Sequence, residues 1–192
     1  MKQLMTAVIT GVLCVASAHA DEYAQQVADS RATVKEFMQQ LKGELQKGMQ
    51  EGGPVNAIGV CKDKAPAIAA ALGERNGLVV GRTSLRVRNP ANTPDVWEKA
   101  VLDEFEQRKL AGEDPASMEY YAAAEQMDKT VFRYMKAIPT AELCVACHGA
   151  EIPPDVAAKL EELYPQDKAR GFQPGDIRGA FTITRALPVV AE

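Results

Sequence analysis

Apolar positions along residues 21–49 recur at intervals of three, four or seven, with charged side chains between them. This spacing collects the apolar side chains on one face, which predicts an amphipathic helix. The pair Gly52–Gly53 should end that helix, and Pro54 suits the first turn of a second one. The same intervals continue in the second helix at Ile58, Cys61, Ala65 and Ile68. We expect Cys61 to face inward, close to a kink or restart at Pro66.

Four later segments favour β-strands, because β-branched and aromatic residues are enriched in them and partly alternate with polar ones. These segments are 78–88, 117–125, 130–138 and 178–187. Helices are predicted around them: one begins at Pro94 after a Thr93 cap and ends near Gly112, and another covers 153–163. A short helix capped by Thr140 should precede the second of these. The pattern therefore predicts an α+β chain with four strands.

The first 20 residues have the features of a secretory signal peptide. Lys2 provides a short basic start, an apolar run reaches Val15, and small residues lead to a cleavage site after Ala20. The segment is short for a membrane anchor and lacks a basic stop-transfer flank. We expect residues 1–20 to be removed and residues 21–192 to form a single domain in the periplasm, with no membrane insertion.

The charge of the mature chain limits its partners. The full sequence has 22 basic and 26 acidic side chains, and removal of Lys2 with the leader leaves 21 basic and 26 acidic ones, a formal net charge of −5. An acidic chain is a poor ligand for nucleic acid or for an anionic membrane surface. No binding to either is expected.

Cleavage also removes Cys14 and His19, so the mature chain keeps three cysteines and one histidine. Two of those cysteines and the histidine form the sequence Cys144-Val145-Ala146-Cys147-His148. This is the attachment motif of haem c, in which both thiols form thioether bonds to the porphyrin and the histidine ligates the iron. One covalently bound haem c is therefore predicted, with His148 as the proximal ligand. A second protein ligand cannot be another histidine.

The residues alone leave the ligand on the other face of the haem open. The alternatives are Cys61, a lysine, no protein ligand, or a methionine, namely Met38, Met49, Met118, Met127 or Met135. A methionine favours a high potential and simple electron transfer, whereas a thiolate stabilises ferric iron and lowers the potential. Lys62 and Lys64 provide a route to thiolate character at Cys61, although solvated lysines are the default interpretation of such a pair. A free cysteine also serves commonly as a small core residue.

Two alternatives without haem use the same residues. A structural zinc site would have suitable ligand types in Cys61, Cys144, Cys147 and His148, but the adjacent Cys147 and His148 would have to bend back onto one tetrahedral ion. A thiol oxidoreductase based on Cys144 and Cys147 lacks a thioredoxin-like context. The sequence also contains no paired carboxylates or nucleophile constellation, so no enzymatic activity is expected.

Several blocks of the sequence together resemble a known family. They are Ala57-Ile58-Gly59-Val60-Cys61 with Ala65-Pro66, Gly81-Arg82-Thr83-Ser84 through Arg88-Asn89-Pro90-Ala91-Asn92, the segment from Cys144 to Gly149, and Gly175-Asp176-Ile177-Arg178-Gly179-Ala180-Phe181. The family comprises c-type haem domains with a PAS-like fold, found alone in the periplasm or thylakoid lumen and as extracytoplasmic sensor domains. The resemblance covers nearly the whole mature chain.

The resemblance implies a PAS-like antiparallel sheet of about five strands flanked by helices, one more strand than the pattern itself gives. It also implies that the iron is held by His148 and by a distant cysteine, Cys61. Arg82, Arg86 and Arg88 lie in or beside a resembling block, and a guanidinium can bind a haem propionate in a bidentate manner. Propionate contacts are predicted for these arginines, with a solvated strand face as the alternative.

The predicted function is one-electron transfer or redox sensing by a periplasmic mono-haem cytochrome. The alternative is a sensor of carbon monoxide or nitric oxide, in which reduction weakens the bond from iron to Cys61 and Cys61 leaves. The expected partner is a redox protein or a signalling protein, neither of which the sequence identifies. A homodimer is also compatible with the chain.

Overall fold

The computed structural model describes residues 23–127 and 129–188. The predicted leader, residues 1–20, and with it Cys14 and His19, lies outside this range. Within the described residues, no helix is both long enough and apolar enough to cross a bilayer.

The N-terminal helical segment, α1 (Ala24–Asn76), folds back on itself at Gly52 and Gly53. Both glycines leave the helical region, and Gly53 has a φ of 67°, a conformation that favours glycine. Side chains of one arm contact residues of the other in antiparallel order. The contacts join Thr33 to Asn76, Glu36 to Arg75, and Gly48 to Asn56. The predicted helix end and restart are confirmed, and the two arms form an antiparallel hairpin.

The second arm continues through Pro66 with helical dihedral angles, so the restart predicted there is wrong. Ala65 and Ile68 are buried on either side of the proline. Burial of this apolar stripe stabilises the helix despite the hydrogen bond that the proline cannot donate.

Four antiparallel strands form one sheet in the order β1-β4-β3-β2. They are β1 (Val79–Thr83), β2 (Glu119–Gln126), β3 (Lys129–Pro139) and β4 (Ile177–Ala186). The remaining helices are α2 (Val96–Leu110), α3 (Val145–His148) and α4 (Pro154–Leu163), with 3₁₀ turns at Pro90–Asn92 and Glu142–Cys144. The predicted α+β class is confirmed.

Helices cover both faces of the sheet, as the side chains of the inner strand β3 show. Phe132 and Tyr134 pack with Phe37 of α1, whereas Met135 packs with Phe105 of α2. Because successive side chains of a strand point to opposite faces, β3 is buried on both sides. A third apolar cluster joins α4 to the second arm of α1.

The fifth strand implied by the family resemblance is not found in the described residues, where the pattern-based count of four is correct. The predicted first strand, 78–88, is also too long. The Ser84 hydroxyl donates to the main-chain oxygen of Arg178 at 2.8 Å and accepts from the Arg86 N–H at 3.1 Å. These side-chain bonds to the backbone compete with the ladder, which ends at Thr83.

Helix α2 begins with Asp95 rather than with the predicted Thr93 cap. The Asp95 carboxylate accepts from the Glu98 N–H at 2.8 Å, and the Glu98 carboxylate accepts from the Asp95 N–H at 3.1 Å. This reciprocal arrangement is a capping box. The Thr93 hydroxyl instead donates to the main-chain oxygen of Pro90 at 2.7 Å, which closes the preceding turn.

Candidate haem-binding site

A cavity of about 620 Å³ lies between the α1 hairpin and the sheet. Its walls come from both arms of α1, from β1 and the loop that follows it, and from residues 143–148. The volume falls within the range of roughly 300–1,000 Å³ that is typical of cofactor pockets. The turn at Gly52 and Gly53 creates this space, because it brings the two arms of α1 over the same part of the sheet.

All four residues predicted to hold a haem line this one cavity. Cys144, Cys147 and His148 come from the attachment segment, and Cys61 comes from the second arm of α1. All three cysteines are free thiols and are partly buried. The fold therefore brings together residues that are more than 80 positions apart in the sequence.

The attachment segment consists of the 3₁₀ turn Glu142–Cys144 and the single turn of α3. Its start has no side-chain cap, and the Thr140 hydroxyl is buried without a hydrogen-bond partner among the described residues. The cap predicted at Thr140 is therefore wrong. The backbone of Thr140 fixes the position instead, because its N–H donates to the main-chain oxygen of Asp176 at 2.7 Å.

The end of the segment is held by main-chain hydrogen bonds to the loop before β4. The Phe172 N–H donates to the His148 oxygen, and the Gly171 N–H donates to the Gly149 oxygen, both at 2.9 Å. A β-carbon at Gly149 would lie only 2.6 Å from the main-chain oxygen of Val145. Only glycine fits this close approach, which lets the chain leave the short helix directly after His148.

The His148 ring has a defined orientation and charge. Its Nδ1 atom lies 2.9 Å from the main-chain oxygen of Ala169, so Nδ1–H donates and Nε2 keeps its lone pair. Arg178 Nε lies beside the ring, 3.2 Å from Nδ1 and 3.3 Å from Nε2. Burial, followed by the charges of Arg178 and Arg88, lowers the pKa of His148 to about 2. A neutral imidazole anchored through its other nitrogen is the form that a metal ligand needs.

Arg88 holds the attachment segment to the loop that orients His148. Its Nε donates to Asp167 Oδ1 at 3.2 Å, and its Nη2 donates to the main-chain oxygens of Cys147 and Ala169. The Asp167 side chain is only 1% exposed. Burial alone would raise the pKa of Asp167, but the hydrogen bonds from Arg88 and from the Ala169 N–H hold it below its usual value. This ion pair thus fixes both the cysteine and the loop.

The three arginines with predicted propionate contacts occupy different environments. Arg82 and Arg88 line the cavity, whereas Arg86 does not. The Arg86 guanidinium lies 3.6 Å from the centre of the Phe172 ring and donates to the main-chain oxygen of Arg170 at 2.9 Å. Arg178 is a cavity residue that sequence reasoning missed, although it lies in a block that carries the family resemblance.

The charged groups that act on Cys61 are not its neighbours in the sequence. Burial raises the pKa of its thiol, and the positive charges of Arg82 and Arg88 oppose that shift. The adjacent Lys62 and Lys64 are exposed to solvent. The cations that act on Cys61 thus come from β1 and the following loop, which are distant in sequence.

The sequence model of the Tll0287-like family matches residues 14–186. The chain belongs to the Tll0287-like family. This confirms the family resemblance seen in the sequence blocks. The crystal structure of the cyanobacterial heme-protein Tll0287 is similar over 88% of this chain and 98% of that chain, with a TM-score of 0.63 and 23% sequence identity, a likeness of fold. No curated protein matches the chain.

In this Tll0287-like chain, the cavity narrows the choice among methionines as second iron ligand. Met49 lines the cavity. Met38 and Met127 are exposed on the surface, and Met118 and Met135 are fully buried in the cluster between the sheet and α2. Among the five methionines considered, Met49 alone lines the cavity and so stays an alternative to Cys61 as the second ligand.

The cavity wall fits an anionic porphyrin. Its charged lining side chains are four cations and one carboxylate, namely Lys62, Arg82, Arg88 and Arg178 against Glu98. The Glu98 carboxylate is already paired with Arg133 and with the cap of α2. Arg88 is likewise paired with Asp167. A haem carries two propionates, so the remaining positive charge of Lys62, Arg82 and Arg178 suits it. The neutral imidazole and the thiols are also donors that haem iron accepts.

The zinc alternative receives no support from this arrangement. Among the residues that the structure describes, no group of three or more histidine, cysteine or acidic side chains is placed to hold a metal ion. Cys61, Cys144, Cys147 and His148 line a large common space rather than surround one point. A tetrahedral zinc site needs all four ligand atoms within about 2.0–2.3 Å of one ion.

Proposed function

We propose that this protein is a mono-haem c-type cytochrome that acts in one-electron transfer or redox sensing. Membership of the Tll0287-like family, together with the fold of a cyanobacterial heme-protein, supports haem as the cofactor. One observation carries the finer proposal: Cys144, Cys147 and His148 share a cofactor-sized cavity with Cys61, which comes from a different element.

In this proposal, Cys144 and Cys147 form the thioether bonds, His148 is the proximal ligand and Cys61 is the second ligand. A bound haem supplies a ferric/ferrous couple that takes up or releases one electron. The chain orients the ligands. The Ala169 carbonyl fixes the His148 ring, and the hairpin places Cys61 on the cavity wall. If His148 and Cys61 both hold the iron, the proposed protein would transfer electrons or sense redox state and would not be an enzyme.

The proposed location is the periplasm, after removal of residues 1–20. The proposed partner is a redox or signalling protein that exchanges one electron with the haem, and a homodimer is compatible with this role. The signal-peptide features of the sequence support this location, and its acidic net charge argues against nucleic acid or an anionic membrane as the partner.

Expression of the full chain in a bacterium that matures c-type cytochromes tests the proposal. The expected product has lost 20 residues and carries one haem that remains attached on a denaturing gel. The variant with Cys144→Ala and Cys147→Ala should lose the covalent haem, whereas Cys61→Ser should keep it. A wild-type chain that matures without covalent haem would disprove the proposal. Carbon monoxide binding by the reduced protein distinguishes the gas-sensor alternative.

A further inference from the structure

The loop after β1 and the loop before β4 meet beside the haem attachment segment and carry three exposed cations. The Lys168 N–H donates to the main-chain oxygen of Val87 at 2.9 Å, and Arg86 Nη1 donates to the main-chain oxygen of Arg170 at 2.9 Å. The side chains of Arg86, Lys168 and Arg170 are all exposed to solvent. Because hydrogen bonds join the two loops, these three residues belong to one surface, which we call the cationic patch.

The positive charges of the cationic patch exceed the carboxylates available to it. Asp167 is shared by two guanidinium groups, since it pairs with Arg170 and with Arg88, both at 3.2 Å. Arg86 contacts a carbonyl oxygen and the face of an aromatic ring, neither of which carries a net negative charge. In the part of the chain that the structure describes, the Lys168 ammonium forms no hydrogen bond or ion pair. The patch therefore presents uncompensated positive charge to solvent.

This local charge has the opposite sign to that of the whole chain. Residues 84–88 and 167–173 contain four basic side chains and one acidic one, a formal charge of +3, whereas the full sequence has a formal net charge of −4. Glu106 of α2 lies at the border, where it lines a small depression together with Leu85 and Arg86. The local charge stays positive when Glu106 is included.

The cationic patch is connected to the proposed proximal ligand. Ala169, which lies between two patch residues in the sequence, has its main-chain oxygen 2.9 Å from His148 Nδ1. The Arg86 guanidinium lies 3.6 Å from the centre of the Phe172 ring, and that ring makes an edge contact with the His148 ring at 6.1 Å between centres. A molecule that docks on the patch is therefore separated from His148 by only one layer of residues.

We propose that the cationic patch is the docking surface for a redox protein that presents an acidic face around its own redox centre. This inference rests on the proposed function, because it requires a haem at His148. In the docked complex, one electron passes between the partner's redox centre and the haem iron, so that one centre is oxidised as the other is reduced and no bond forms or breaks. Opposite charges steer the two surfaces together, and the acidic remainder of the chain disfavours other orientations of the same partner.

The test uses the haem-loaded protein and two small redox proteins of opposite charge as probes. Reduced plant-type ferredoxin is an acidic electron donor to the ferric protein, and ferric mitochondrial cytochrome c is a basic electron acceptor from the reduced protein. The double variant with Lys168→Glu and Arg170→Glu reverses the charge of the patch. Lys168→Glu alone serves if loss of the Arg170–Asp167 pair prevents folding. The matched control has Lys35→Glu and Lys42→Glu, since both lysines are exposed on the first arm of α1 and the total change of charge is the same.

Three quantities are measured for each variant. Stopped-flow absorption gives the second-order rate constant with each probe at several salt concentrations. Amide chemical shifts during titration of the ferric protein with oxidised ferredoxin locate binding without electron transfer. The reduction potential shows whether a change of driving force contributes to the rate.

The rate constant with ferredoxin should fall roughly tenfold in the double variant and by less in Lys168→Glu, because the loss of electrostatic steering slows association. The salt dependence of this rate should weaken as well. The rate constant with cytochrome c should rise instead. The chemical-shift changes should centre on residues 84–88 and 167–173. The control should change either rate constant by less than about twofold, and the reduction potentials should shift too little to explain the loss.

Equal effects of the patch and control variants, or chemical-shift changes centred elsewhere, would overturn the proposal. A larger loss in Lys64→Glu, which alters an exposed lysine near Cys61, would overturn it as well. Binding of the wild type to phosphatidylglycerol vesicles that is lost in the double variant would assign the patch to a membrane surface and contradict the proposal. A chain without haem would exchange no electron with either probe, which disproves the proposed function, whereas the chemical shifts would still show whether the acidic protein binds at the patch.

Discussion

His148 Nδ1 lies 2.9 Å from the main-chain oxygen of Ala169, which belongs to the loop before β4. The same loop receives the Arg88 guanidinium, which also contacts the main-chain oxygen of Cys147. The orientation of the proposed proximal ligand therefore depends on a loop more than 20 residues away in the sequence. Asp167 connects the two parts, because it pairs with Arg88 and accepts from the Ala169 N–H at 2.9 Å.

Asp167→Ala should destabilise the protein by about 3 kcal/mol, because it leaves the Arg88 guanidinium largely buried without its carboxylate partner. Urea unfolding measures this loss. Asp103→Ala is the control, since Asp103 forms an exposed pair with Lys99 and should cost less than about 1 kcal/mol. Equal effects of the two substitutions would show that the Arg88–Asp167 pair has no special role.

Gly149→Ala should impair haem attachment and stability together. The new β-carbon would lie 2.6 Å from the Val145 oxygen, so the backbone of the attachment segment must shift. A shift of this kind costs on the order of 1–3 kcal/mol. The measurements are the yield of covalent haem per chain and the unfolding midpoint in urea. Gly43→Ala is the control, because Gly43 lies within a helix with no atom near the added methyl group and should be neutral or stabilising. Normal haem yield in Gly149→Ala would contradict this account of the segment.

The elements that follow local periodicity were predicted from the sequence, and the corrections arise where distant residues intervene. The helix end at Gly52–Gly53, the restart at Pro54 and the four strands belong to the first group. The early end of β1 belongs to the second, because the Ser84 hydroxyl bonds to Arg178, 94 residues later. The cap of α2 is Asp95 instead of the predicted Thr93 for a different reason. Two residues that can cap a helix lie within three positions, and the pattern alone does not decide between them.

The residues of the candidate site also fall into two groups: those that a local pattern predicts and those that only distant contacts bring into place. The spacing of Cys144, Cys147 and His148 indicates haem attachment directly, because the whole motif is local. The sequence alone could not decide between Cys61 and the methionines as the second iron ligand, because an iron ligand and an ordinary core residue both face inward. Only the folding of α1 onto the sheet places Cys61 and Met49 in the cavity. Likewise, no local pattern shows that Arg88 pairs with Asp167, whereas the Arg82 side chain has no hydrogen bond or ion pair within residues 23–127 and 129–188.

Glu119 should make the stability of the protein depend on acid pH. Hydrogen bonds from Arg31 and then from Tyr134, the latter at 2.8 Å, hold the pKa of Glu119 below its usual value. The folded pKa is thus below the unfolded value of about 4.3, so this stabilisation is complete above that pH and is lost as the pH falls through the folded pKa.

Unfolding free energies of the wild type and of Glu119→Gln, measured from pH 7 to pH 3, test this dependence. The two curves should approach each other below about pH 4, because only the wild type loses the contribution of Glu119. Glu104→Gln, on an exposed part of α2, serves as the control for the loss of one surface carboxylate. A constant difference between wild type and Glu119→Gln would contradict the assignment.

The central claim is that Cys61 and His148 together hold the iron. Electron paramagnetic resonance of the ferric haem protein tests it most directly when wild type, Cys61→Ser and Met49→Leu are compared. The account predicts a low-spin thiolate spectrum for the wild type, the same spectrum for Met49→Leu and its loss in Cys61→Ser. A thiolate spectrum that persists in Cys61→Ser, or a wild-type spectrum that changes only in Met49→Leu, would contradict it.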